Sequence, residues 1–216
     1  MNPSLRLRDL LDEVLPALAR RRPIFHSEAD FQLALAWEIQ TAHPDATIRL
    51  EQRVLDSPRI NLDILVVLDG LRFGLELKYL RAATDVTVDG ERFVLVVGAP
   101  DLDRYDTIKD IVRLERLVDE HVVDAGAAVA LSNSSGFWRP SATGRATGYD
   151  AFRIHDGSTL GGTLEWGPTA GAGTRKGREA AHALAGTYRT EWQSFSRVGA
   201  GTAAEFRTLT VLVPPA

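Results

Sequence analysis

Leucine and valine recur at helical spacing from Ser4 to Ala19 (Leu7, Leu10, Leu11, Val14, Leu15, Leu18), which predicts an amphipathic helix. Arg20-Arg21-Arg22-Pro23 ends it, because cations suit a helix C-terminus and proline cannot continue a helix. A second helix is predicted over FHSEADFQLALAWEIQTAHP, with Ser27 as N-cap, Asp30 three residues on, and a stop at Pro44. Its mostly apolar composition places it against a sheet. ATIRLEQRVL alternates as a strand does, and Asp56-Ser57-Pro58 reads as the turn after it.

The next stretch, RINLDILVVLDGLRFGLELKYL, reads as two apolar strands joined at Asp69-Gly70, a two-residue hairpin signal. That loop sets Leu68 opposite Leu71, so Asp63 falls opposite Glu76 and Asn61 opposite Lys78, all on one face. Two opposed carboxylates with β-carbons about 4.5–5.5 Å apart repel unless a cation lies between them. The residue types therefore suggest a divalent metal. The alternative is a cross-strand salt-bridge cluster on a solvated sheet face, against which the apolar residues on both faces of the hairpin argue.

Farther along, RFVLVVGAP is a strand candidate, DRYDTIKDIVRLERLVDEHVV has helical spacing, and AGAAVALSN reads as a buried small-residue strand. From Ser134 to Gly186 glycine, serine, threonine and alanine dominate, with short strand candidates in AFRIHDG and TLEWG. EFRTLTVLVP closes the chain as a final strand. The pattern predicts an α/β fold with a mixed sheet flanked by helices, as one domain over 1–216: a core at about 24–133 and a loop-rich C-terminal β extension at about 134–216.

Composition narrows the function. The 216 residues carry a net charge of −4, so any nucleic-acid binding must be local rather than by overall charge. There is no cysteine, which excludes disulfides, thiolate zinc sites and a cysteine nucleophile, and suits a reducing compartment. No apolar run reaches the roughly 20 residues of a membrane helix, and the N-terminal segment mixes charge with leucine, so the expected location is cytoplasmic, with no membrane partner. His26, His43, His121, His155 and His182 form no close pair of the kind a zinc site uses. Only Lys78, Lys109 and Lys176 are lysine in an arginine-rich set of cations, so a lysine within a core strand stands out.

Asp63 on the second core strand and Glu76-Leu77-Lys78 on the third, after a helix carrying Glu28, resemble the PD-(D/E)XK nuclease superfamily. FHSEADFQLALAWEI, LELKYL, DRYDTIKDIVRLE and the late EWQSFS and FRTLTVLV look like an uncharacterised bacterial group within it. The proline of the motif is missing, since Leu62 precedes Asp63. The resemblance implies a restriction-endonuclease-like core and metal-dependent phosphodiester hydrolysis, with nucleic acid, DNA first, as partner. It implies Mg²⁺, replaceable by Mn²⁺, held by Asp63 and Glu76, with Glu28 completing the site and Glu38 as second choice. Lys78 would orient or help deprotonate the attacking water and offset charge on the phosphate.

Other features have a plain reading beside a functional one. Glu28 sits where the helix dipole favours an acid in any case. Lys109, Arg113 and Arg116 form a stripe that could meet phosphates, or simply a solvated helix side with Asp110, Glu115 and Asp119. Arg20-Arg21-Arg22 and Arg175-Lys176-Gly177-Arg178 are the densest basic runs. Trp138, Trp166 and Trp192 fit a core or its lid better than base stacking. The rival to an enzyme is a non-catalytic nucleic-acid-binding or protein-interaction module on the same fold.

Overall fold

The leucine stripe of the N-terminal segment folds as α1 (Pro3–Arg21), where the Asn2 side chain accepts the Ser4 and Leu5 N–H groups as N-cap. A computed structural model describes residues 2–53, 61–141 and 143–215. The expected turn at Asp56-Ser57-Pro58 lies outside those residues. Ser27 caps α2 (Glu28–Ala42) by accepting from Asp30 N–H, as its sequence implies. Phe31, Leu35 and Ile39 of α2 are fully buried, while Leu33 and Trp37 point outward.

Six strands form the central sheet: β1 (Thr47–Arg53), β2 (Asn61–Leu68), β3 (Leu71–Leu80), β6 (Ala125–Ser132), β9 (Trp192–Arg197) and β10 (Glu205–Val213). Their order is β1-β2-β3-β6-β10-β9, with β3 and β6 parallel and every other pairing antiparallel. The parallel link requires a crossover, and α3 (Pro100–Asp119) lies within it. Two strands from the expected C-terminal extension thus belong to the main sheet, because β10 pairs with Gly126–Ser132 of β6 and β9 pairs with β10.

Two smaller hairpins stand beside the central sheet among the described residues. The first pairs β4 (Thr84–Val88) with β5 (Glu91–Leu95) around Asp89-Gly90. It repeats the Asp-Gly signal of the core hairpin, with both turn residues at positive φ (50° and 84°), yet stands apart from the main sheet. RFVLVVGAP contributes only its first residues to β5. The second hairpin pairs β7 (Thr159–Leu164) with β8 (His182–Arg189). AFRIHDG is not a strand: Asp150–Phe152 form a 3₁₀ turn, whose Phe152 is buried with Ile154. TLEWG overlaps only the end of β7. Short helices α4 (Ser135–Trp138) and α5 (Ala172–Arg175) lie in the loop-rich stretch.

α1 and α2 cover one face of the sheet, sharing a core with Ile64, Val66, Phe73, Leu75, Leu77, Val129 and Phe206. α3 covers the other, on Leu62, Leu80, Ala128, Ala130, Leu209 and Val211. Its approach is set by two glycines. Gly74 and Gly126 are lateral partners on β3 and β6, and a Cβ on Gly126 would lie 3.0 Å from Leu114 Cδ2 and 3.1 Å from Leu114 Cβ. A Cβ on Gly74 would meet the Leu114 and Leu62 methyls at 3.3–3.4 Å. Bare backbone at both positions seats Leu114 directly on the sheet, which brings Asp110, one turn before it, and Arg113, next to it in sequence, down to Lys78 and Glu76. No helix of the described residues is long and apolar enough to cross a membrane.

Candidate active site

The Asp69-Gly70 turn has φ of 54° and 75°, the conformation that a two-residue hairpin loop demands, and Leu68 pairs with Leu71. The register runs as the sequence predicts down to Ile64 opposite Leu75, then stops one pair short of Asp63 and Glu76. Beyond that point side chains replace the ladder. Asp63 Oδ2 accepts the Leu77 N–H at 2.6 Å, and Glu28 Oε2 accepts the Tyr79 N–H at 2.8 Å. These amides are two residues apart on β3, so they point the same way, and each would otherwise be a buried donor without a partner.

The distortion at Asp63 is held from the α2 side. Gln32, one turn after Glu28, donates to Asp63 O at 2.7 Å and to Glu51 Oε1 at 3.0 Å. Glu51 itself adopts φ 51°, and the β1–β2 pairing passes from Leu50–Ile64 to Gln52–Leu62 around it. Leu62 consequently packs with the α3 core while Ile64 packs with the α1–α2 core, although they are two residues apart. Sequence reasoning did not single out Gln32; its place one helical turn after Glu28 is the signal that was there to read.

Glu76 and Lys78 point to α3. Glu76, its side chain 1% exposed, accepts from Arg113 Nη1 at 2.7 Å. Arg113 Nη2 lies 3.2 Å from Asp110 Oδ1, and Lys78 Nζ lies 2.6 Å from Asp110 Oδ2. A chain of ion pairs thus runs Glu76, Arg113, Asp110, Lys78 between strand and helix. Asp110 and Arg113 therefore do not lie on a solvated helix side, as the charge stripe suggested, whereas Lys109 and Arg116 are exposed. The legible signal for Asp110 is its position four residues before Leu114 and seven before Leu117, inside the apolar stripe of α3.

The electrostatics follow from burial. Desolvation raises the Asp63 carboxyl to about 6, against the Leu77 hydrogen bond and Lys78, while Asp110 and Glu28 push the same way as burial. Glu76 is raised well above the usual carboxylate range by burial, then by Asp110 and Asp63; the opposing pull of Arg113 is the smaller effect. Asp103, a further acid on α3, is raised to about 6 by burial, Asp106 and Glu28. Lys78 moves up: desolvation is the largest single effect and lowers it, but Asp110, Glu28 and Asp63 combined outweigh it. It is held as a cation, which suits charge stabilisation and not removal of a proton from water.

Among the described residues no three His, Asp or Glu side chains form a group that could hold a metal ion. Magnesium does not need three, because it keeps several waters and binds through one or two carboxylates plus phosphate oxygens of the substrate. Asp63 and Glu76 offer hard oxygen donors in a desolvated place where burial, then neighbouring carboxylates, push both towards their protonated forms. The pair fits Mg²⁺ or Mn²⁺ by donor chemistry. Glu28 has one oxygen committed to Tyr79, so it positions β3 and has its other oxygen and its charge to offer a metal. Glu38 lies elsewhere on α2, buried and 3.4 Å from Arg21.

The other candidates separate from the site or support it at a distance. Arg22 pairs with Asp30, and Arg178 with Asp106, the latter tying the basic loop to α3 while Arg175 and Lys176 stay exposed. Trp138 and Trp192 are core residues; Trp166 stacks on Tyr105 with centroids 5.4 Å apart and donates to Arg178 O. No protein-family model matches this chain, and neither does any curated protein searched with it.

Proposed function

We propose that this chain is a metal-dependent nuclease of PD-(D/E)XK type that hydrolyses phosphodiester bonds, with DNA as the expected substrate. One observation carries the reading: Asp63, Glu76 and Lys78 meet where the β2–β3 ladder gives way, with both acids raised by burial and by neighbouring carboxylates. Acids perturbed by burial and by a specific charge partner cluster at functional sites. The cysteine-free composition adds a cytoplasmic setting to the proposal.

A bound Mg²⁺ or Mn²⁺ would supply an activated water and Lewis-acid stabilisation of the phosphodiester. Asp63 and Glu76 would hold the ion. Lys78, fixed by Asp110, offsets the negative charge that develops on the phosphate oxygens. Glu28 and Gln32 keep β3 and the Asp63 backbone in place from α2.

A second reading has its own observation. Arg113 and Lys78 already compensate Glu76 and Asp110, so the cluster could be a structural network in a nucleic-acid-binding or protein-interaction module without turnover. Incubation with single- and double-stranded DNA and RNA, in Mg²⁺, Mn²⁺ or EDTA, separates the two. The nuclease reading expects cleavage that needs metal and is lost in Asp63→Asn and Glu76→Gln. Nucleic acid left intact under every metal condition refutes it.

A further inference from the structure

We infer that Arg113 is the resident cation of the site, occupying the Glu76 carboxylate until a divalent ion displaces it, so that the protein's own arginine sets its metal affinity. The inference rests on the metal-dependent reading above and adds a competitor to it. Glu76 and Asp110 side chains are 1% and 5% exposed, whereas Arg113 is 22% exposed and lies across both, with Nη1 2.7 Å from Glu76 Oε1 and Nη2 3.2 Å from Asp110 Oδ1. The guanidinium is thus the more solvent-exposed partner of the pair. A metal ion held by Glu76 would compete with the guanidinium for the same carboxylate, and two cations against one carboxylate repel strongly in a desolvated site.

Arg113 is also the group able to leave. Its charge sits on a flexible stem that can swing to water without moving α3, and among the described residues its one further hydrogen bond is a long one, 3.5 Å to Asn61 O. Lys78 is more tightly kept, between Asp110 Oδ2 and Leu77 O at 3.1 Å. Once displaced, the planar fork of Arg113 matches a phosphate bidentately, a partner that lysine would meet only as a point charge. Substrate phosphate would then draw Arg113 off Glu76 and favour metal entry, coupling the two binding events.

The test is Mn²⁺ titration by calorimetry without nucleic acid, on wild type, Arg113→Gln, Arg113→Lys and Asp63→Asn, with melting curves in EDTA. Arg113→Gln is expected to bind Mn²⁺ roughly tenfold more tightly while melting lower in EDTA, since buried Glu76 loses its counter-ion and Asp110 keeps Lys78 alone. A purely structural role gives the lower melting temperature with equal or weaker Mn²⁺ binding, which overturns the inference. If Arg113→Gln fails to fold in EDTA, Arg113→Lys decides: a single ammonium cannot bridge both carboxylates, so Mn²⁺ binding several-fold tighter than wild type is expected. Unchanged affinity there overturns the inference. Wild-type binding that Asp63→Asn abolishes, but that neither Arg113 variant alters, sinks this inference alone. No Mn²⁺ uptake by wild type or Arg113→Gln sinks the metal reading with it.

Discussion

Asp63 closes the end of the core hairpin by accepting the Leu77 N–H at 2.6 Å, so one carboxylate both replaces a missing ladder bond and faces a second buried acid. The two roles can be separated by substitution. Asp63→Asn keeps an oxygen for Leu77 and removes a charge from a crowded site. Its stability in EDTA should equal or exceed wild type by up to about 1 kcal/mol, whereas Asp63→Ala, which strands the amide, should lose about 1–3 kcal/mol. Denaturant unfolding measures both; an Asn variant as unstable as the Ala variant means that the charge itself holds the fold.

Stability without metal should fall as pH rises. Asp63 goes from a usual value of 3.8 to about 6 on folding, and Glu76 also moves up. A raised acid pKa means that the native state binds more protons than the unfolded state, so its contribution is present in full below the unfolded value and is lost as pH climbs through the folded one. Urea melts in EDTA across pH 4 to 8 should show this decline, reduced in Glu76→Gln and offset by millimolar Mn²⁺. A rising or flat profile over that window contradicts the burial-driven shifts.

Lys78 should be costly to remove. With Lys78→Ala, Asp110 remains 5% exposed beside Arg113 alone. Loss of one side of a buried pair costs about 3–5 kcal/mol, and the remaining arginine argues for the lower end. The chevron or equilibrium midpoint gives the number, and a change under about 1 kcal/mol would show the pair to be solvent-screened.

Glu28→Gln should keep the melting temperature near that of wild type, because the amide oxygen still accepts from Tyr79, while metal-dependent cleavage falls. Full activity in a folded Glu28→Gln protein assigns Glu28 to β3 alone.

Gly126→Ala tests how α3 is seated. The added methyl would sit 3.0–3.1 Å from Leu114, tighter than most packed side chains, so Leu114 must give way; a loss of about 1–3 kcal/mol is expected along with weaker activity, as Asp110 and Arg113 shift with the helix. Wild-type stability and activity in this variant would mean that α3 repacks without disturbing the site.

The sequence alone determined what neighbouring residues decide among themselves. Ser27 and Asp30 define a helix start, Asp69-Gly70 a tight turn, and that turn a register that holds from Leu68–Leu71 to Ile64–Leu75. The same local signal was present at Asp89-Gly90, flanked by Val86, Val88, Phe93 and Leu95, and could have given the β4–β5 hairpin. Strands β8 and β9, set in glycine- and serine-rich sequence, had no comparable pattern; β8 is fixed by β7 and α3, and β9 by pairing with β10. Only the tertiary structure decided the site. Periodicity says which face of a strand or helix is apolar, but a charge buried in that face is stable only if a partner from elsewhere meets it, and Arg113 and Asp110 lie more than thirty residues from Glu76 and Lys78. Their meeting depends on how closely α3 approaches the sheet, which two glycines on separate strands set together.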